Sequence, residues 1–166
     1  MNQTPRPAPP SGRYDAPYWR YAAEGELRLQ RCGGCGQFRY PPGPVCPDCL
    51  AEEASWERLS GTGTLLAWTV FHRQYFPWIP APYLVGAVRT TEGPILIGNL
   101  VGIDATGLVH DMPLRAVFES VTPTDTSPPV TAATAVAEAP DQSPDGTWRL
   151  CQWTPSPTHP HHEEQA

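Results

Sequence analysis

The sequence predicts a mainly β protein: an N-terminal helix, a cysteine-bounded ribbon and a small five-stranded Greek-key barrel. Three observations carry that prediction. Four cysteines fall in two Cys-x-x-Cys pairs within CGGCGQFRYPPGPVCPDC, residues 32–49. Five runs rich in Val, Leu, Ile, Trp and Phe follow beyond residue 63, each bounded by turn residues. The 22 prolines and 14 glycines among 166 residues favour turns and short strands over long helices.

Taken in order, residues 1–13 are proline-rich and expected to be disordered. Asp15 can cap a short helix with Pro17 in its first turn, running through YWRYAAEG to Gly25. Tyr18, Trp19, Ala22 and Ala23 do not form one clean stripe, which leaves helix surface for a partner. ELRLQR, 26–31, alternates and leads as a strand into the first cysteine pair. SWERLSGTG, 55–63, reads as a joint in which Gly61 and Gly63 free the backbone.

The barrel strands are TLLAWTVFHR (64–73), YLVGAVRTT (83–91), PILIGNLV (94–101), LRAVFESV (114–121) and TWRLCQW (147–153). A short element near Asp104–Leu108 precedes the fourth, the arrangement of a small Greek-key barrel. Residues 122–146 hold five prolines, four acids and no aromatic residue or Arg, and read as a flexible insertion before the last strand. The expected division is a disordered 1–13, helix and ribbon over 14–56, barrel over 57–155 with the insertion 122–146, and a disordered tail 156–166. Three histidines in that tail could bind metal adventitiously, but its composition is that of a solvated segment.

Two Cys-x-x-Cys turns each present two thiolates to one point, which is what a tetrahedral zinc ion requires. Gly33, Gly34 and Gly36 let the first turn wrap closely enough for backbone N–H groups to reach the sulfurs, and Pro47 stiffens the second. RYPPGP reverses the chain between the pairs. Cys32, Cys35, Cys46 and Cys49 are therefore the candidate ligands of one structural Zn2+, with iron the alternative. Four thiolates leave no position open for a water, so the metal has no catalytic role. A redox role would need one Cys-x-x-Cys at a strand–helix junction, and disulfides suit a secreted chain better.

Charge excludes several functions. All eleven basic residues are Arg, so neither a Schiff-base lysine nor a phosphate-loop Gly-Lys exists here. Residues 1–49 carry six Arg against four acids, and the remainder five against thirteen. Arg28, Arg31 and Arg39 lie near the ribbon, and small barrels often bind single strands, so a nucleic-acid module is the alternative class. An acidic barrel without lysine makes a phosphate-tracking groove hard to assemble. No apolar run of ~20 residues exists, and MNQTPRPAPPSGR has no apolar region after its charges. The expected location is cytoplasmic.

The order YWRYAAEGELRLQRC, CGGC, CPDC, WERLSGTGTLLAWTVFHR and APYLVGAVRTTEGPILIGNL closely resembles the zinc-ribbon plus OB-fold family associated with acyl-CoA enzymes, domain of unknown function 35. The likeness covers residues 14–121, with Thr147–Pro155 as closing strand. It implies a rubredoxin-like zinc ribbon, an OB-fold barrel and a non-catalytic partner of thiolase-like enzymes, including the lipid-transfer-protein-type aldolases of steroid side-chain degradation. Such a subunit stabilises its partner and helps guide an acyl-CoA. The insertion departs from the family pattern, and with no hydratase domain attached a free subunit is expected.

The residues agree with a non-catalytic role. His72 and His110 are the two histidines of the expected folded part, separated by two strands and a loop, and no nucleophile with a base can be named. Cys151 lies in an apolar run and reads as a buried thiol without activation. His72 beside Arg73 suits a polar contact at a strand end, or a CoA phosphate. The stretch RQYFPWIPAPY, 73–83, crowds Tyr75, Phe76, Trp78 and Tyr83 among prolines. Either it packs inward as a barrel lid, or it is a docking surface or acyl-CoA passage wall.

Overall fold

The computed structural model describes Arg6, residues 12–121 and residues 148–157. The insertion 122–146, most of 1–13 and all but two residues of the tail lie outside the described residues. Helix α1 spans Ala16–Ala23, with Pro17 in the first turn, where a missing N–H costs nothing. Asp15 holds the N-cap position without capping the backbone by its side chain. Its carboxylate instead accepts from the Gly12 N–H and, at 3.2 Å, from the Trp19 indole.

The helix ends in a Schellman turn. Gly25, at φ +79°, donates to Ala22 O, and Glu26 donates to Tyr21 O, both at 2.9 Å. Tyr18 and Ala22, one turn apart, are the buried pair. Tyr18 stands edge-on to Trp19 at 4.9 Å and 6.4 Å from Tyr40, while Trp19 meets Trp148 at 6.1 Å. A stripe does exist, and the chain's own ribbon and last strand take it up.

Strand β1, Arg28–Cys32, lies between β2, Phe38–Arg39, and β3, Ala54–Arg58, in a three-stranded antiparallel sheet. Half of the expected joint is thus a strand, in register from Arg28↔Arg58 to Cys32↔Ala54. Ser and Glu are weak strand formers, so the local sequence of β3 hides it; the open edge of β1 decides. Past β3 the Leu59 N–H reaches Leu27 O at 2.8 Å, binding the connection to the ribbon.

The barrel consists of β4 (Thr62–Phe71), β5 (Tyr83–Thr90), β6 (Ile95–Leu100), β7 (Pro113–Val121) and β8 (Trp148–Pro155). It closes in the order β4-β5-β6-β8-β7, with β7 returning to β4. β6 and β8 run parallel at Leu100↔Trp153 and every other pair is antiparallel, which is the OB topology. A 3-10 turn, Ala105–Gly107, stands before β7. β4 bulges between Leu65 and Ala67. Gly63 is needed for close approach: a Cβ there would stand 2.5 Å from Arg89 O.

One core runs through both parts. Tyr18, Leu27, Leu29 and Leu59 belong to the same buried cluster as Leu65, Val88, Leu96, Leu114 and Trp153. No helix among the described residues is long and apolar enough to cross a membrane.

Candidate functional site: a four-cysteine centre and an aromatic loop

The four sulfurs of Cys32, Cys35, Cys46 and Cys49 lie within 4.8 Å of one another. Cys32 and Cys49 are 3.5 Å apart, and Cys35 and Cys46 3.6 Å. A tetrathiolate with Zn–S of about 2.3 Å has sulfur edges of about 3.8 Å, so the set fits a zinc ion. These separations are far from a disulfide bond, and all four cysteines are free.

The two turns are built alike. Gly36 N–H donates to Cys32 O at 3.0 Å, and Leu50 N–H donates to Cys46 O at 3.0 Å. Both closing residues are left-handed, Gly36 at φ +74° and Leu50 at φ +62°. Gly34 N–H points at the Cys32 sulfur from 3.3 Å, the approach its missing side chain was expected to allow.

Charge in the cluster is frustrated without a cation. The Cys35 N–H, then the Arg39 guanidinium, pull the Cys32 thiol down to about 5. The Cys49 N–H, then that of Asp48, lower Cys46. The Gln37 N–H pulls Cys35 down as well, but burial and the sulfurs of Cys49, Cys46 and Cys32 outweigh it and push the thiol up to about 12. Four thiolates this close cannot all ionise alone. A soft divalent ion removes the conflict by taking all four, and the site is then coordinatively closed.

The arginines near the ribbon are engaged within the chain. Arg28 pairs with Glu26 at 2.6 Å and lies 4.5 Å from the Tyr21 ring centre. Arg31 pairs with Glu57 at 3.0 Å. Arg39 is 3% exposed and donates to backbone carbonyls. Its burial, invisible in the sequence, sets it apart from the other two.

The second feature is the loop after β4. Phe71 stacks on Tyr83 at 4.8 Å and receives Tyr75 edge-on at 6.0 Å, while Phe76 stacks on Trp78 at 5.1 Å. Gln74 Nε2 donates to Phe76 O at 3.1 Å and braces the loop from within. Tyr75 is 59% and Phe76 47% exposed, and Trp78 and Tyr83 are half-buried. None of the four belongs to the buried core cluster. His72 and Arg73 are exposed at the base of the loop, with the Arg73 guanidinium 5.6 Å from the Tyr75 ring.

Behind the loop is a cavity of about 400 Å3. Trp78, Ile79 and Tyr83 line it beside Asn99, Glu119 and Gln152, and Glu119 accepts a hydrogen bond from Gln152 Nε2. These polar residues come from β6, β7 and β8, brought together only when the barrel closes. No local signal in the sequence could have found them. His110 is held elsewhere, with Nδ1 2.8 Å from Leu66 O and its ring 5.0 Å from that of Trp68. Among the described residues no contact joins it to His72. Cys151 is half-buried, and burial pushes its thiol up to about 12, the opposite of an activated nucleophile.

Comparison with known proteins covers both parts. Residues 19–54 match the ChsH2 rubredoxin-like zinc ribbon domain, and residues 56–119 the ChsH2 C-terminal OB-fold domain. The chain is 37% identical over 109 residues to a probable enoyl-CoA hydratase alpha subunit of Thermomonospora curvata, covering 66% of this chain and 34% of that protein. It is 31% identical over 110 residues to the 3-oxo-4,17-pregnadiene-20-carboxyl-CoA hydratase alpha subunit of Mycobacterium tuberculosis, covering 66% and 35%. The chain thus spans about a third of the length of these two relatives. Among solved structures, a chain of an Ltp2-ChsH2(DUF35) aldolase superimposes with a TM-score of 0.68 at 28% identity, covering 89% of this chain and 98% of that one. With ribbon and barrel matched in sequence order and the fold shared over their whole extent, the chain belongs to the ChsH2-type DUF35 family of zinc-ribbon plus OB-fold proteins.

Proposed function

We propose that this chain is a non-catalytic accessory subunit of a thiolase-superfamily enzyme, a thiolase or lipid-transfer-protein-type aldolase. The enzyme acts on acyl-CoA in steroid side-chain or fatty-acyl degradation, in the cytoplasm. One observation carries the reading: the match to a chain of the Ltp2-ChsH2(DUF35) aldolase, which this chain covers almost end to end. A steroid-derived CoA thioester as substrate is supported by the name of the mycobacterial relative.

The chain's own residues support the division of labour. A metal held by all four cysteines would have no position open to substrate, and burial holds the Cys151 thiol neutral. The catalytic residues therefore belong to the partner. The exposed rings of Tyr75 and Phe76, with Trp78 and Tyr83 behind them, form the docking surface or the wall of an acyl-CoA passage, and His72 and Arg73 stand beside it for a phosphate. Hydrogen bonding and ring stacking within the loop lower the entropy lost when such a surface is ordered.

The test is co-purification with a thiolase-like aldolase, for the wild type and Trp78→Ala. The variant is expected to keep its metal and melting temperature and to bind on the order of 2 kcal/mol more weakly, roughly 30-fold. If Trp78 serves the fold instead, the change costs ~3–5 kcal/mol of stability and leaves association intact. The isolated chain is expected to turn over no acyl-CoA; turnover abolished by a His72 or Cys151 substitution would overturn the proposal.

A further inference from the structure

Arg39 is a buried cation with no buried anion of its own. It lies in β2, is 3% exposed, and among the described residues no carboxylate meets it. Its Nη2 donates to Ala51 O at 2.7 Å and Glu53 O at 2.9 Å, and its Nη1 to Glu52 O at 3.3 Å and Gly43 O at 3.5 Å. Its Nε is buried with no hydrogen-bond partner. Ala51, whose carbonyl it holds, follows Cys49 by two residues, so the guanidinium sits beside the cysteine cluster.

Two of those carbonyls also hold the cysteine turns. Ala51 O accepts from the Cys46 N–H, and Glu53 O accepts from the Gly33 N–H, each at 2.9 Å. One side chain therefore grips carbonyls that also hold both cysteine turns. A divalent ion with four thiolates carries two net negative charges, and burying that excess is costly unless a cation lies close. Carbonyl dipoles alone do not neutralise a buried guanidinium either. Each charge answers the other.

We propose that Arg39 is the resident counter-cation of the four-cysteine centre, a positioning residue whose charge offsets the metal–thiolate cluster and sets how tightly the chain holds its metal. The role is independent of whether the chain docks on an enzyme. A guanidinium suits it better than an ammonium, because its planar fork reaches several carbonyls while its charge stays beside the sulfurs.

The experiment uses the full chain loaded with Zn2+ or with Co2+ as a spectroscopic probe, in wild type, Arg39→Lys and Arg39→Gln forms. Zinc retention is read by competition with a chelator, and the sulfur-to-cobalt charge-transfer band reports the electron richness of the sulfurs. Arg39→Gln is expected to lose zinc affinity by about 10–100-fold, with the band moved to lower energy. Arg39→Lys, keeping charge without the fork, is expected to lose less and to leave the band near its wild-type position. Unchanged zinc retention in Arg39→Gln overturns the proposal. Equal losses in both variants with an unmoved band also overturn it, because Arg39 then acts only as a backbone clamp. Should Arg39→Gln not fold, Arg39→Lys decides: zinc retention within about 3-fold of wild type supports the charge role, and a loss of 10-fold or more refutes it.

Discussion

Stripping the metal from the four-cysteine centre is predicted to destabilise the barrel as well as the ribbon, because one core runs through both. Metal binding in comparable zinc peptides contributes ~10–16 kcal/mol of apparent folding free energy, as much as or more than the ~5–15 kcal/mol that stabilises a whole domain. The metal-free ribbon therefore unfolds. With it go Leu27 and Leu29, at 3% and 0% exposure in the shared core. Each buried leucine is worth ~1.5–3 kcal/mol, so the barrel forfeits about 3–6 kcal/mol. For a domain of this size that lowers the melting midpoint by roughly 12 °C or more. Scanning calorimetry of holo and chelator-stripped protein, with Cys46→Ser as the genetic equivalent, reads the shift directly. Emission from Trp153, 1% exposed between β6 and β7, follows the barrel alone if the other tryptophans are replaced. A barrel midpoint that stays within about 2 °C after metal removal would refute the shared-core reasoning.

Leu50→Gly is expected to stabilise the holo protein by about 0.5–1 kcal/mol in urea melts. It relieves a left-handed backbone, while a side chain already 73% exposed has little burial to lose. Gly63→Ala should cost ~1–3 kcal/mol by the same assay, since the new methyl meets the Arg89 carbonyl and the barrel must shift. The Cys151 thiol is raised from an ordinary 9.0 to about 12, so the unfolded chain ionises first. Its contribution is complete below pH 9.0 and is lost as pH rises toward about 12, and Cys151→Ala should flatten that part of an alkaline stability profile.

The ribbon ligands and the five barrel strands were legible in the sequence because each has a local signature. Paired cysteines announce a metal, and runs of Val, Leu and aromatics between turn residues announce strands. β2 and β3 were not legible. Phe38–Arg39 is too short to show a period, and Ala54–Arg58 carries Ser and Glu that pair only because β1 offers an edge. Asp15 stands where a cap belongs, yet its carboxylate turns to Gly12 and the Trp19 indole, a tertiary choice that sequence spacing does not encode. The same limit hid Arg39, which reads like any other arginine near a ribbon until its carbonyl partners are seen.

β8 is the last of the described strands, and it closes the barrel between β6 on one side and β7 on the other. As the chain emerges from a ribosome, β4, β5 and β6 can pair at once as neighbours in sequence. Both β6 and β7 must then wait with open edges until residues 148–155 arrive. Such edges are templates for pairing with other chains. The wait lasts while residues 122–147 are synthesised. The number of residues in that stretch sets the interval during which a nascent molecule can aggregate, and any truncation ahead of Trp148 makes that interval permanent.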